Sequence, residues 1–215
     1  FPNLSGYFVQ EEDSDQDADS ATSEGIFVYS PSLALPEAGK VVRVLGEVAE
    51  AFNKTQLVVS EINPDCGTGS VTATALTLPF DSVDAMEALE GMLVASSGEL
   101  TVTDTYSLGR YGEVLLSNGR LFIPTNLYTA GSSEAIALAA QNELNQITLD
   151  DGVNGQNPDV VVYPAGGLSA SNPLRGGDTV TALTGVMDFS FSLYRVIPVE
   201  QPTIVASNPR TDAPD

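Results

Sequence analysis

The sequence has no histidine, one cysteine, and only eight Lys and Arg among its 215 residues. Without histidine the commonest general base is gone, and with it Ser-His-Asp and Cys-His arrangements and every His-containing metal site. The single thiol, Cys66 in the turn-like stretch 63–69, excludes an internal disulfide. An unpaired thiol without a role is its simplest reading. Apolar runs are short, and none approaches the ~18 residues needed to cross a bilayer. The paired glycines Gly166-Gly167 and Gly176-Gly177 lack a following lysine, so no phosphate-cradling Gly-x-x-x-x-Gly-Lys-Ser/Thr loop is present.

Acids are what the chain has in abundance. The 29 Asp and Glu give a formal charge of -21, so the average surface repels phosphate and anionic lipid, and any nucleic-acid contact has to be local or cation-mediated. Such acidity suits salty surroundings, where screening shortens carboxylate repulsion to about 8 Å. No pair among the 29 acids is singled out by spacing as a two-carboxylate hydrolase. With 42% hydrophobic and 17% charged residues, the chain is expected to be soluble and to bury a core, as one large domain or two small ones.

Short β-rich segments punctuated by Gly, Pro, Asn and Asp dominate, at 6–10, 25–29, 41–49, 56–60 and 71–78. Five strands fit a small barrel. Within 25–29 the period of two puts Phe27 and Tyr29 on one face, Ile26 and Val28 on the other. An internal echo aligns 39–59 without a gap on 177–197, matching Val42, Val44 and Val48 to Val180, Ala182 and Val186. Both stretches read as two-strand units and imply duplication. Between them, 79–91 carries Val83, Met86 and Leu89 at helical spacing, with acids first and Gly91 closing it. A second helix is expected over 133–145, with Ser132 or Ser133 as N-cap and Ile136, Ala140 and Leu144 on one side. Both helices read as packing elements. The Gly-, Asn- and Pro-rich stretch 152–177 reads as a long excursion, and 201–215 as a linker.

Two clusters could carry chemistry. Asp13, Asp15, Asp17, Asp19 and Glu24 occupy positions 1, 3, 5, 7 and 12 of a twelve-residue stretch, the ligand rhythm of an EF-hand Ca²⁺ loop. Ala18 departs from it where a glycine normally permits the turn, and the flanks read as strands. Without a cation the five carboxylates would repel one another and fray the hairpin; the other reading is a solvated acidic loop. The second cluster, Arg110 and Tyr111 followed by Arg120 and Phe122, is of the kind that stacks on bases and pairs with a phosphate in OB-folds. The other reading gives these arginines structural salt bridges and packs the rings inside, and Arg195 beside Tyr194 and Phe191 carries the same two readings. Asn53-Lys54-Thr55 is a glycosylation sequon that reads as a turn.

The segments GYFVQEED, KVVRVLGEVAEAFNKTQL, LTVTDTYSLGRYGEVLLSNGRLFIPTN, ITLDDGVNGQNPD and LRGGDTVTALTGVMDFSFSLYRVIP together resemble the region preceding the nuclease domain in ExeM/NucH-type bacterial extracellular endonucleases. LGRYGE and LDDG are its most specific motifs. The resemblance runs over essentially the whole chain. It implies a secreted chain with an OB-like fold; together with the strand pattern, the internal echo and the two packing helices this gives a mainly β chain of two tandem OB-like β-barrels with two short packing helices. Residues 1–78 would form the first barrel, its first strand preceding Phe1, and 79–200 the second, with 201–215 leading to the catalytic domain. That domain, with its divalent metal, would be the partner in the same polypeptide, DNA a further partner, and membrane none. No catalytic residue of the family has a match here, so the implied role is accessory and non-catalytic. A Ca²⁺-stabilised extracellular structural module is the alternative.

Overall fold

A computed structural model describes residues 2–17 and 19–211, with the side chain of Pro2 left aside. Ala18, the departure from the calcium-loop pattern, lies outside the described residues, as do Phe1 and the tail from 212 onward. The chain is mainly β. Alternating apolar residues give β1 (Gly6–Gln10), β2 (Gly25–Tyr29), β3 (Arg43–Ala51) and β4 (Lys54–Asn63), which form a four-stranded sheet of order β1-β2-β4-β3. β2 and β4 run parallel, and the other two pairs run antiparallel.

Nine strands make the second sheet: β5 (Thr74–Leu76), β6 (Leu93–Ser96), β7 (Leu100–Asp104), β8 (Val114–Ser117), β9 (Gln146–Leu149), β10 (Thr179–Ala182), β11 (Thr184–Ser190), β12 (Leu193–Pro198) and β13 (Thr203–Val205). Their order is β13-β10-β7-β8-β9-β12-β11-β6-β5. The barrels expected from the sequence take the form of two open sheets. Among the described residues no pairing joins β5 to β13 or β1 to β3, so neither sheet closes. Two boundaries move as well: β5, expected in the first unit, pairs with β6, and β13, expected within the linker, pairs with β10.

Among the described residues the α-helices are α1 (Val83–Glu87), α2 (Leu108–Tyr111), α3 (Pro124–Leu127) and α4 (Ser133–Leu144). Ser82 and Ser132 cap α1 and α4, each hydroxyl accepting the N–H of Ala85 or Ala135, which satisfies a backbone donor orphaned at the helix start. The inward side of α4 is Ala135, Leu138, Ala139 and, as expected, Leu144, while Ile136 and Ala140, also expected to pack, are exposed. Residues 150–178 form the expected excursion and contain no strand or helix.

The duplication is deeper than two strands. β8-β9-β12-β11 repeats β1-β2-β4-β3 in order, in direction and in register, including the parallel pair in the middle. The cross-strand row Tyr7, Val28, Leu57, Val48 corresponds to the row Val114, Leu149, Val196, Met187. The two hairpins share a two-residue turn with both residues left-handed, Phe52-Asn53 and Phe191-Ser192, the turn whose twist suits a tight hairpin. Each also carries a glycine, Gly46 or Gly185, whose missing Cβ would collide with the carbonyl of Val58 or of its counterpart Ile197. These coincidences put Phe52 on Phe191 and Val48 on Met187, one residue away from the ungapped sequence alignment. β10, moreover, which that alignment places in the hairpin, is a separate strand.

The two copies are buried very differently. Val114, Leu149, Val196 and Met187 are all 0% exposed and belong to the main core, which draws only on residues from Leu76 onward. In the first sheet no residue of β3 or β4 is buried, and the apolar row opens from Val28 at 0% to Val48 at 70% exposed. The first sheet therefore depends on its seam with the second. Gly25 and Gly91 touch backbone to backbone there, the Leu93 N–H donates to Gln10 Oε1 at 2.7 Å, and the Ser23 hydroxyl donates to the Glu90 carbonyl.

Candidate functional site

The seam encloses a cleft of about 350 Å³, walled by Phe8, Phe27 and Ser23 and carrying Glu11, Glu24, Glu87 and Glu90. The short helix α1 and its following turn present Glu87 and Glu90 to it, and the acidic β1–β2 loop presents Glu11 and Glu24. At its margin Lys54 Nζ donates to Asp188 Oδ1 at 2.9 Å and stands 4.3 Å from the centre of the Phe27 ring. Asp188 is 1% exposed and also accepts the Ser190 hydroxyl. Tyr194 donates to the Glu87 carboxylate, and burial, then this bond, raises the pKa of the Tyr194 hydroxyl.

Glu90 is pushed up to about 7 from 4.5, first by burial and then by the charges of Glu87, Asp188 and Glu50, against the opposing pull of Lys54. Between those two values the unfolded chain gives up this proton while the folded chain keeps it, so stability falls as pH rises through the window. Glu90→Gln removes the penalty. Thermal melts should show the variant gaining on the parent at about pH 8 and matching it at about pH 4. Equal separation at both values would contradict the assignment.

The acidic loop is organised by protein donors. Asp13 accepts both the N–H of Thr72, at 2.9 Å, and its hydroxyl, at 2.6 Å, which holds its carboxyl below the usual range. Asp17 accepts from Asp19 N–H, and Asp19 from Ala21 N–H, which closes a tight turn over Ser20. Asp15 accepts the Ser14 hydroxyl. Glu24 is raised by loss of hydration and then by the charges of Asp17 and Glu11. Among the described residues no three carboxylate or thiol groups are gathered as a metal-holding group.

The four basic and aromatic residues fall into two pairs. Arg110 and Tyr111 lie on α2 before β8, with the guanidinium 5.1 Å from the ring centre; Arg120 and Phe122 follow β8, 4.7 Å apart. β8 thus separates the pairs to its two ends. Arg110 also donates to Gln156 Oε1 through Nη2 at 2.9 Å, and its carbonyl accepts the Asn157 N–H. Arg120 and Phe122 are exposed and Tyr111 is half-buried, so the two rings do not pack inside, and among the described residues neither Arg110 nor Arg120 makes a salt bridge.

The motifs LGRYGE and LDDG meet at a third place. Arg195 of β12, 2% exposed, donates through Nη1 to Glu113 at 2.9 Å and to Asp150, and through Nη2 to the Ser190 carbonyl at 2.8 Å. Asp150 Oδ1 accepts the Gly152 N–H, and the Tyr163 hydroxyl donates to the Asp150 carbonyl at 3.1 Å. Gly112, left-handed, allows the Asp151 carboxylate to lie where a Cβ would stand. Burial raises Asp150 despite the adjoining guanidinium, and burial together with Asp150 and Glu113 raises Asp151. Glu113, Asp150, Asp188 and Glu90 were not singled out from the sequence. The available signal was a lone charge inside an apolar strand: Asp188 between Met187 and Phe189, like Arg195 between Tyr194 and Val196.

No curated protein and no solved structure matches the chain. The family described as "Domain of unknown function (DUF8508)" matches residues 54–209, more than half of the sequence, and the chain belongs to that family.

Proposed function

We propose that the chain is a non-catalytic accessory module of a secreted bacterial nuclease, positioning a nuclease domain of the same polypeptide. The observation that carries this reading is the fate of the motifs behind the resemblance. Glu113 of LGRYGE, Asp150 of LDDG and Arg195 of the last hairpin are consumed by one another in a buried network that joins β8, β9 and β12. A guanidinium 2% exposed holds strands together and does not meet substrate. Nucleic acid is left to Arg110 with Tyr111 and Arg120 with Phe122, each pair able to hold one base by stacking. Their separation and the -21 charge keep such binding weak. Incubation of the chain alone with plasmid and with single-stranded oligonucleotides, with Mg²⁺, Mn²⁺ or Ca²⁺, should give no cleavage. Weak oligonucleotide binding should be lost in Arg110→Ala/Arg120→Ala. Cleavage by the chain alone would overturn the reading, and binding unchanged in the double variant would remove these residues from it.

A further inference from the structure

The internal repeat shows what the open edge of the first sheet lacks. In the second copy the outer edge of β11 is occupied: Met187 exchanges backbone bonds with Gly91 and Met92, its N–H donating to Met92 O at 2.9 Å, and Thr184 to Val186 pair with β6. The deep apolar row therefore continues one strand further, from Met187 to Met92, which is 6% exposed. In the first copy the row stops at Val48, the counterpart of Met187, 70% exposed, and Leu45 on the other face of the strand is 62% exposed. β3 is the last strand of its sheet. Ala51 and Lys54 close the two-residue turn, so alternation from Ala51 aims the N–H and C=O of Val44, Gly46, Val48 and Glu50 outward. Such an edge is a template for another strand.

We infer that the occupant is β3 of a second copy of this chain, paired antiparallel about a two-fold axis at Leu45. The sequence of β3 is self-complementary in that register. Val48 stands opposite Val42 of the second copy, the residue just before β3, which supplies the apolar neighbour that Met92 gives Met187. Arg43 stands opposite Glu47, twice by symmetry, and Leu45 meets Leu45. The backbone groups of Val44 and Gly46 meet those of Gly46 and Val44. Paired residues share a face throughout, as an antiparallel ladder requires. The symmetry closes the assembly at two, and the remaining repulsion between two chains of charge -21 makes pairing stronger in salt.

Sedimentation velocity across a concentration series up to about 100 μM, in low and in about 1 M salt, reads the association directly. A dimer that strengthens with salt is expected. Arg43→Glu or Glu47→Arg alone puts like charges opposite one another and should raise the dissociation constant about 10-fold or more. The double variant Arg43→Glu/Glu47→Arg recreates the pairs with their signs exchanged and should bring the constant back to within about 3-fold of the parent. Arg43 and Glu47 are exposed on an edge, so circular dichroism and melting temperature should stay put in all three. A parent that remains monomeric at the highest concentration overturns the inference. Single variants that dimerise like the parent, or a double variant that does not recover, overturn it as well.

Discussion

Arg195→Met is expected to cost about 3–5 kcal/mol of stability, among the largest losses any single substitution here can cause. The side chain is 2% exposed and bonds to Glu113, Asp150 and the Ser190 carbonyl. Deleting it leaves two carboxylates without their cation, one of them at 7% residue exposure, in a place where burial already raises the Asp150 pKa. Arg195→Lys keeps the charge but loses the fork that reaches two carboxylates and a carbonyl together, so its loss is intermediate. Arg195→Met/Asp150→Asn/Glu113→Gln should recover much of the stability, because the penalty lies in the stranded charges rather than in the missing cation. Urea unfolding measures all three. A fully stable Arg195→Met would remove the network from the account.

Lys54→Met should cost about 3 kcal/mol by the same physics at the seam between the sheets. Its ammonium is 13% exposed and faces Asp188 at 2%, so little solvent screens the pair, and Asp188 would be left with the Ser190 hydroxyl alone. Lys54 also opposes the upward shift of Glu90. The variant should therefore lose stability more steeply than the parent as pH rises toward neutral. Lys54→Met/Asp188→Asn should be less destabilised than the sum of its single changes, a coupling expected only of groups in contact. Strict additivity in urea unfolding would show that the pair does not hold the sheets together.

What the sequence revealed and what it hid follow from the range of the forces involved. Strand alternation at 6–10 and 25–29 and the helix that starts after Ser132 are local, fixed by side-chain period and by a single cap. They are found where expected. Pairing order is not local: nothing near β2 announces a parallel partner in β4, nor does the sequence around Thr203 announce a strand under β10. Closure into barrels failed to appear for that reason. The repeat was legible, but one residue out of register. Matching letters set Val48 on Val186, whereas the turns set the register, and both turns put a phenylalanine in the left-handed region where that residue is uncommon. At the site, charge density points to Asp13 to Glu24; the salt-bridge reading of Arg195 is found in the structure, while Asp188, a single buried charge between Met187 and Phe189, has no cluster of like residues in the sequence to mark it.

The central claim is the proposal that the chain is an accessory module of a nuclease, with Glu113, Asp150 and Arg195 serving as a structural network. It is tested most directly by the intact mass and full sequence of the native gene product. The account predicts a polypeptide in which these residues precede an endonuclease/exonuclease/phosphatase-type domain bearing its own catalytic acids and histidines. A native product that carries no nuclease domain would contradict it.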